Sequence, residues 1–253
     1  MEGAVRVQIL SQAGISEVPS QYIQPPENRP TPVTNTKTSL SCDNVPAIDL
    51  SHKEKSVIAA IQEACQELGA FHVINHGVPT KLMDDLRRSC LSFFNDFPME
   101  DKLKYACQPN SAASQGYGSR MLVSSENDTV LDWRDYFDHH TLPLSRRNPS
   151  FWPHFPPEYR GLVADYSDEM KIITNGKYRS SVHQAVTNAS KARLSIATFH
   201  DPAKAVRISP AADLLSESSP PRYAPVVYGD HVSSWYSKGP EGKRNLDALL
   251  LDT

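Results

Sequence analysis

Asn175-Gly176-Lys177-Tyr178-Arg179-Ser180-Ser181-Val182-His183-Gln184-Ala185-Val186-Thr187-Asn188, followed four residues later by Arg193-Leu194-Ser195, is the stretch that decides how this chain is read. Its alternation predicts two strands, over 180–187 and 193–199, joined by a turn at Asn188-Ala189-Ser190. Centring that hairpin on Ala189 sets His183 opposite Ser195. Arg193 has the same parity as Ser195, so the three side chains share one face. A neutral imidazole can ligate a transition metal, and a guanidinium offers a rigid fork to a planar carboxylate. By composition alone, an isolated His in a strand is more often a hydrogen-bonding residue than a ligand. Arg193 reads equally well as a surface strand residue, and Ser195 as an edge hydroxyl bonded to backbone.

Upstream, residues 1–44 carry a weak amphipathic stretch from Val5 to Ala13 and then a Pro- and Thr-rich connector. They read as an arm laid over the domain, or partly disordered. Order begins with a short edge strand at Val45-Pro46-Ala47-Ile48-Asp49-Leu50. Ser51 and Glu54 form the pattern of a capping box for a helix whose apolar face is Val57, Ile61, Ala64 and Leu68. Ala70 to Asn75 reads as a buried strand. A second helix starts at Thr80, with Leu82, Leu86, Cys90 and Phe93 or Phe94 inward, and Pro98 ends it. A short helix follows near Glu100 to Tyr105. Gly116-Tyr117-Gly118 reads as a flexible turn, Leu131 to Phe137 as a strand, and Asp138-His139-His140 as a solvated polar turn at its end. Pro157 opens a helix running to about Met170. From Ser209 onward the chain is loop-rich, with a weak final helix at Leu246, Leu249 and Leu250.

Composition narrows the classes. Net charge is −3, from 26 basic and 29 acidic side chains without a basic stripe, which argues against nucleic acid as a partner. No apolar run reaches 18 residues, so no membrane span is expected, and the N-terminus lacks a signal-peptide pattern. The four cysteines form no Cys-x-x-Cys pair, which suggests neither a zinc site nor a disulfide scaffold and fits a cytoplasmic protein.

Asn-Gly-x-Tyr-x-Ser-x-x-His followed by Arg-x-Ser resembles the plant-type iron(II) and 2-oxoglutarate dependent dioxygenases. The resemblance continues through Cys65 to Pro79, Phe93 to Lys102, Gln115 to Gly118, Asp132 to Phe137 and Trp152-Pro153, and so covers nearly the whole chain. It implies an α+β, mostly β fold: a double-stranded beta-helix, or jelly roll, behind a helical N-terminal domain. The corresponding division is an arm at 1–44, the N-terminal domain at 45–155 and the catalytic domain at 156–253. It also implies His183 as an iron ligand, with Arg193 and Ser195 holding the distal carboxylate of 2-oxoglutarate, and ascorbate as a further requirement. His72 and His76 are not ligands in that family. The implied activity is an oxidoreductase coupling 2-oxoglutarate decarboxylation and dioxygen to hydroxylation or desaturation of a hydrophobic plant metabolite such as a flavonoid, phenylpropanoid or hormone. Tyr117, Trp133, Tyr136 and Phe137 fit such a substrate and fit core packing equally.

The family's other two ligands lie in a His-x-Asp pair, and no His-x-Asp occurs anywhere in this chain. The helix from Pro157 meets Lys171-Ile172-Ile173-Thr174-Asn175 directly. The family places a further helix and most of its eight-stranded jelly roll there, so about 100 residues are missing from that plan. The jelly roll is therefore expected to be incomplete, with no catalytic set intact, as in a truncated isoform. Iron held by His183 alone would be left largely to water. The competing expectation is a non-catalytic binding or regulatory protein that uses the intact N-terminal domain.

Overall fold

The computed structural model describes residues 6–26, 29, 45–107, 115–119, 131–163, 185, 187–188, 190–210, 215–217, 220–221, 223–237, 247–249 and 251. These fall into two compact units, each assembled from separated stretches of chain. One draws on 28–96 and 154–198, the other on 1–27, 97–153 and 199–253.

In the first unit, β1 (Ala47–Asp49) and β2 (His72–Ile74) pair in parallel, with Ile48 opposite Val73. The connection between them is α2 (Glu54–Glu67), the crossover that a parallel pair requires. The expected capping box does not form. Asp49 takes both the Ser51 backbone N–H, at 2.9 Å, and the Ser51 hydroxyl, at 2.7 Å. With Ser51 committed to this Asx turn, the helix starts late, behind Lys53, which has no oxygen to cap it. The β2 strand is also more open than its sequence suggests, with Ile74 48% exposed. A two-stranded ladder has one neighbour where a sheet interior has two.

Helix α3 (Thr80–Asn95) follows its periodicity closely: Leu86, Cys90 and Phe93 are buried, while Lys81 and Arg88 pair with Asp85 on the outer side. It ends three residues before Pro98, which instead precedes α4 (Met99–Leu103). Residues 159–163 form a short helical stretch; the remainder of the helix expected to Met170 lies outside the described residues. Tyr159 packs on Phe93 with ring centroids 5.9 Å apart, and its hydroxyl donates to the Cys90 thiol. Burial pushes that thiol up to about 11.

The second unit is organised around one carboxylate. Helix α1 (Val7–Gln12) directs its first two N–H groups at Asp135: Val7 donates to Oδ1 at 3.0 Å and Gln8 to Oδ2 at 2.9 Å. The Ser119 hydroxyl also donates to Asp135, and the Tyr117 hydroxyl does so at 3.3 Å. An acid at a helix N-terminus satisfies orphan donors and meets the positive end of the dipole. The Arg6 guanidinium lies 4.7 Å from the centre of the Tyr117 ring, and the buried Lys102 ammonium donates to the Gln8 side chain at 2.8 Å. The start of the N-terminal arm is thus docked.

Gly116-Tyr117-Gly118 is not a turn but the fully buried strand β3, antiparallel to β4 (Tyr136–Asp138). Its glycines allow close approach instead of reversal. A Cβ at Gly116, where φ is +133°, would collide with the Tyr105 carbonyl, and one at Gly118 would meet the Tyr136 ring at 2.5 Å. That clearance lets Tyr117 donate to the Tyr105 carbonyl at 2.8 Å and accept from Cys107 at 3.0 Å. The strand expected over 131–137 is therefore shortened to the part that faces β3. Tyr117 and Trp152 are completely buried, and Trp133 packs edge-on against Tyr22. Of the two roles open to the aromatic cluster, packing is the one these contacts fill.

The C-terminal part departs most from expectation. Residues 193–199 are irregular, not a strand. A third ladder pairs β5 (Arg207–Ile208) with β6 (Val226–Val227), and the latter, with helix α5 (Tyr228–Ser237) after it, falls in the region after Ser209, read as loop. The final helix is one 3-10 turn at Asp247–Leu249.

Asp135→Ala should free α1. It removes the acceptor shared by two backbone donors and the hydroxyls of Ser119 and Tyr117, at a cost of about 1–3 kcal/mol. Hydrogen exchange should show residues 7–12 losing protection while α3 keeps it; unchanged protection at 7–12 would contradict this.

Candidate functional site

The residues singled out for chemistry do not converge among the described residues. Arg193 and Ser195 lie on exposed, irregular backbone, and His183 lies outside the described residues. The strand pairing that would place the three on one face is absent on the 193–199 side. No group of three His, Cys, Asp or Glu side chains among the described residues is arranged to hold a metal ion.

The expectation that the chain holds no His-x-Glu pair either is corrected by one spacing, His52-Lys53-Glu54. It sits at the entry to α2, all three residues exposed, and His52 reaches back to Asp49 at 3.9 Å. Asn75 donates to Asp49 at 2.9 Å, and with Ser51 it holds the Asp49 carboxyl down to about 2. Asp49 is therefore committed to a local turn network. A cleft of about 390 Å³ opens beside it, lined by Ile48, Asp49, His52, Ala60, Glu63 and Glu67. Three carboxylates against one imidazole make this a poor receptor for a dianion such as 2-oxoglutarate.

Asp138-His139-His140 is also not the solvated turn expected of it. Asp138 ends β4. The His139 ring stacks on Phe137 with centroids 4.5 Å apart and meets Trp152 edge-on at 5.4 Å. Although part of the residue reaches solvent, this enclosure of the ring pushes its imidazole down to about 3; a hydrogen bond to the Phe137 carbonyl opposes the shift only in part. It is held neutral by packing. His140 is lowered by burial and then by the Arg146 and Lys204 charges; Arg146 lies 3.4 Å from its Nδ1. The alternation over 131–137 carried no sign of His139, but Phe137-x-His139 has the parity of a shared face, and that spacing was the available signal.

Two family models match the chain. Residues 45–155 match the N-terminal region of non-haem dioxygenases in morphine synthesis, and residues 138–202 match the 2OG-Fe(II) oxygenase superfamily. The chain belongs to the plant-type iron(II) and 2-oxoglutarate dependent dioxygenase family. Its relatives include Jasmonate-induced oxygenase 4 of Arabidopsis thaliana, 28% identical over 99% of this chain and 98% of the relative, and Feruloyl CoA ortho-hydroxylase 2 of the same plant, 24% identical over 94% and 91%. The crystal structure of JOX2 in complex with 2OG, Fe, and JA superposes with a TM-score of 0.56 at 37% identity, covering 67% of this chain and 45% of that one. The chain thus spans less than half of that crystallised protein. The fold is an incomplete form of the family's jelly roll with a helical N-terminal part: the described strands form three separate two-stranded ladders that do not close into a barrel.

The match to Jasmonate-induced oxygenase 4 runs over 352 columns, nearly end to end in both proteins, yet this dioxygenase-family chain has 253 residues. Taking 253 from 352 leaves at least 99 columns in which it contributes no residue. The described residues, in turn, do not fit the iron that the family uses. The donor set in reach contains neither the His-x-Asp pair nor any equivalent cluster.

His139 generates a pH prediction. Between pH 6.5 and 3 the unfolded chain binds a proton at this ring that the folded chain excludes, so stability falls as pH drops through that window. The slope from this one group reaches at most about 1.4 kcal/mol per pH unit. His139→Phe should flatten the acid limb of a melting-temperature profile relative to the parent chain. Parallel profiles would show that the ring titrates normally.

Proposed function

We propose that this chain is a 2-oxoglutarate oxygenase family protein that, as written, does not turn over 2-oxoglutarate. One observation carries the reading: the family's His-x-Asp ligand pair is absent from all 253 residues, and at least 99 columns of the match to a relative are empty on this side. In this reading His183 is the surviving iron ligand, and Arg193 and Ser195 are the surviving carboxylate clamp. In the same reading the missing block belongs between Met170 and Asn175, where the sequence expected to continue the Pro157 helix passes directly into the His183 motif. Residues 1–44 act as an arm, 45–155 as the N-terminal domain, and 156–253 as the truncated catalytic domain.

Exposed Arg193 contributes about 0–1 kcal/mol to holding a solvated carboxylate, too little to retain a co-substrate whose other end has no anchored metal. Open cis positions for bidentate 2-oxoglutarate and dioxygen require a preorganised ligand set, which one imidazole does not provide. An uninterrupted form of the chain would oxidise a small hydrophobic plant metabolite; the relatives' names point to jasmonate- and feruloyl-CoA-related chemistry. A cytoplasmic setting is in keeping with the free cysteines Cys65, Cys90 and Cys107, and no helix among the described residues is long and apolar enough to cross a membrane. A second reading, a non-catalytic binding protein, is favoured by the packed cores around α3 and Trp152, which need no metal to form.

Purified protein supplied with ferrous iron, ascorbate and 2-oxoglutarate should release no succinate above background, and His183→Ala should behave identically. Succinate from the parent chain that disappears in the His183 variant would mean that other ligands complete the site, and the inactive reading would fail.

A further inference from the structure

From Lys191 to Ala203 the chain runs without a turn or a bend, yet it joins no ladder. Among the described residues no hydrogen bond reaches the backbone of 192–202. Its side chains are uncovered as well: Phe199 is 80% exposed and Ile196 41%. Such a segment, rich in β-branched and aromatic residues and free of proline until Pro202, presents unpaired donors and acceptors to any matching strand. The question is which strand matches.

The sequence Lys191-Ala192-Arg193-Leu194-Ser195-Ile196-Ala197-Thr198-Phe199-His200-Asp201 is complementary to itself when reversed. An antiparallel register centred on Ile196 sets Lys191 of one copy against Asp201 of the other, at both ends. It sets Arg193 against Phe199, a cation over an aromatic face. Ile196 meets Ile196, and Leu194 meets Thr198, giving one continuous apolar face. A parallel in-register pairing would instead align Arg193 with Arg193 and Lys191 with Lys191, like charges directly opposed. We propose that residues 191–201 of two copies of this chain pair as antiparallel strands about Ile196, so that the segment is a self-association surface. This does not depend on whether the chain has oxygenase activity, and its readout is mass, not turnover.

Charge exchange tests it. By sedimentation velocity, the parent chain should show mass increasing with concentration through the micromolar range. Lys191→Asp sets Asp against Asp201, and Asp201→Lys sets Lys against Lys191, so each alone should weaken association by about tenfold or more. The two single variants mixed together should associate with each other, because both ends then pair opposite charges. The double variant Lys191→Asp/Asp201→Lys should recover self-association. Phe151→Asp, at an exposed aromatic outside the segment, should leave the mass unchanged. A parent chain that stays monomeric throughout, or single variants that associate as strongly as it does and gain nothing on mixing, would overturn the proposal.

Discussion

A β-strand is a contract between neighbours: each backbone N–H and C=O exposed on its edge must find a partner in another strand or in water. The order in this protein tracks that constraint. Where partners are local, structure forms. The β3–β4 ladder is completed by Tyr105 and Cys107, residues close by in sequence, and β1–β2 is closed by its own crossover helix. Where no ladder partner stands among the described residues, 193–199 is left irregular and exposed. Helices need no such neighbours for their backbone, which is why α3 matches its expected pattern so closely.

The same distinction explains what could be read from the sequence. The apolar periodicity of α3 and the position of β1 were legible, because both are encoded in consecutive residues. Family membership was legible from ordered motifs. Gly116 and Gly118 were misread because a glycine that reverses a chain and one that lets another backbone approach look identical until the approaching group, the Tyr105 carbonyl or the Tyr136 ring, is known. Ser51 was misread because its competitor, Asp49, lies on the other side of the expected cap. At the candidate site, the residue types at 183, 193 and 195 were legible, but their convergence rested on a hairpin whose second strand does not form.

The site argument turns on chemistry that is distributed along the chain. An oxygenase centre of this kind needs three donors, a carboxylate receptor and a dry cavity held together by one closed sheet. In the proposed reading, loss of one contiguous block takes donors and scaffold together, so that Arg193 and Ser195 keep their chemical types without the environment that gives those types their strength. An exposed guanidinium and one held in a buried pocket are different reagents.

The contact between Cys90 and Tyr159 has a consequence for oxidation. Oxidants and alkylating agents react with a thiolate, not a thiol. With its proton held to about pH 11, the Cys90 sulfur is ionised in only about one molecule in ten thousand at neutral pH, and the Tyr159 hydroxyl occupies one approach to it. The unit built on α3 therefore carries a sulfur that burial keeps protonated and slow to react, even though the Tyr159 hydrogen bond favours its ionised form.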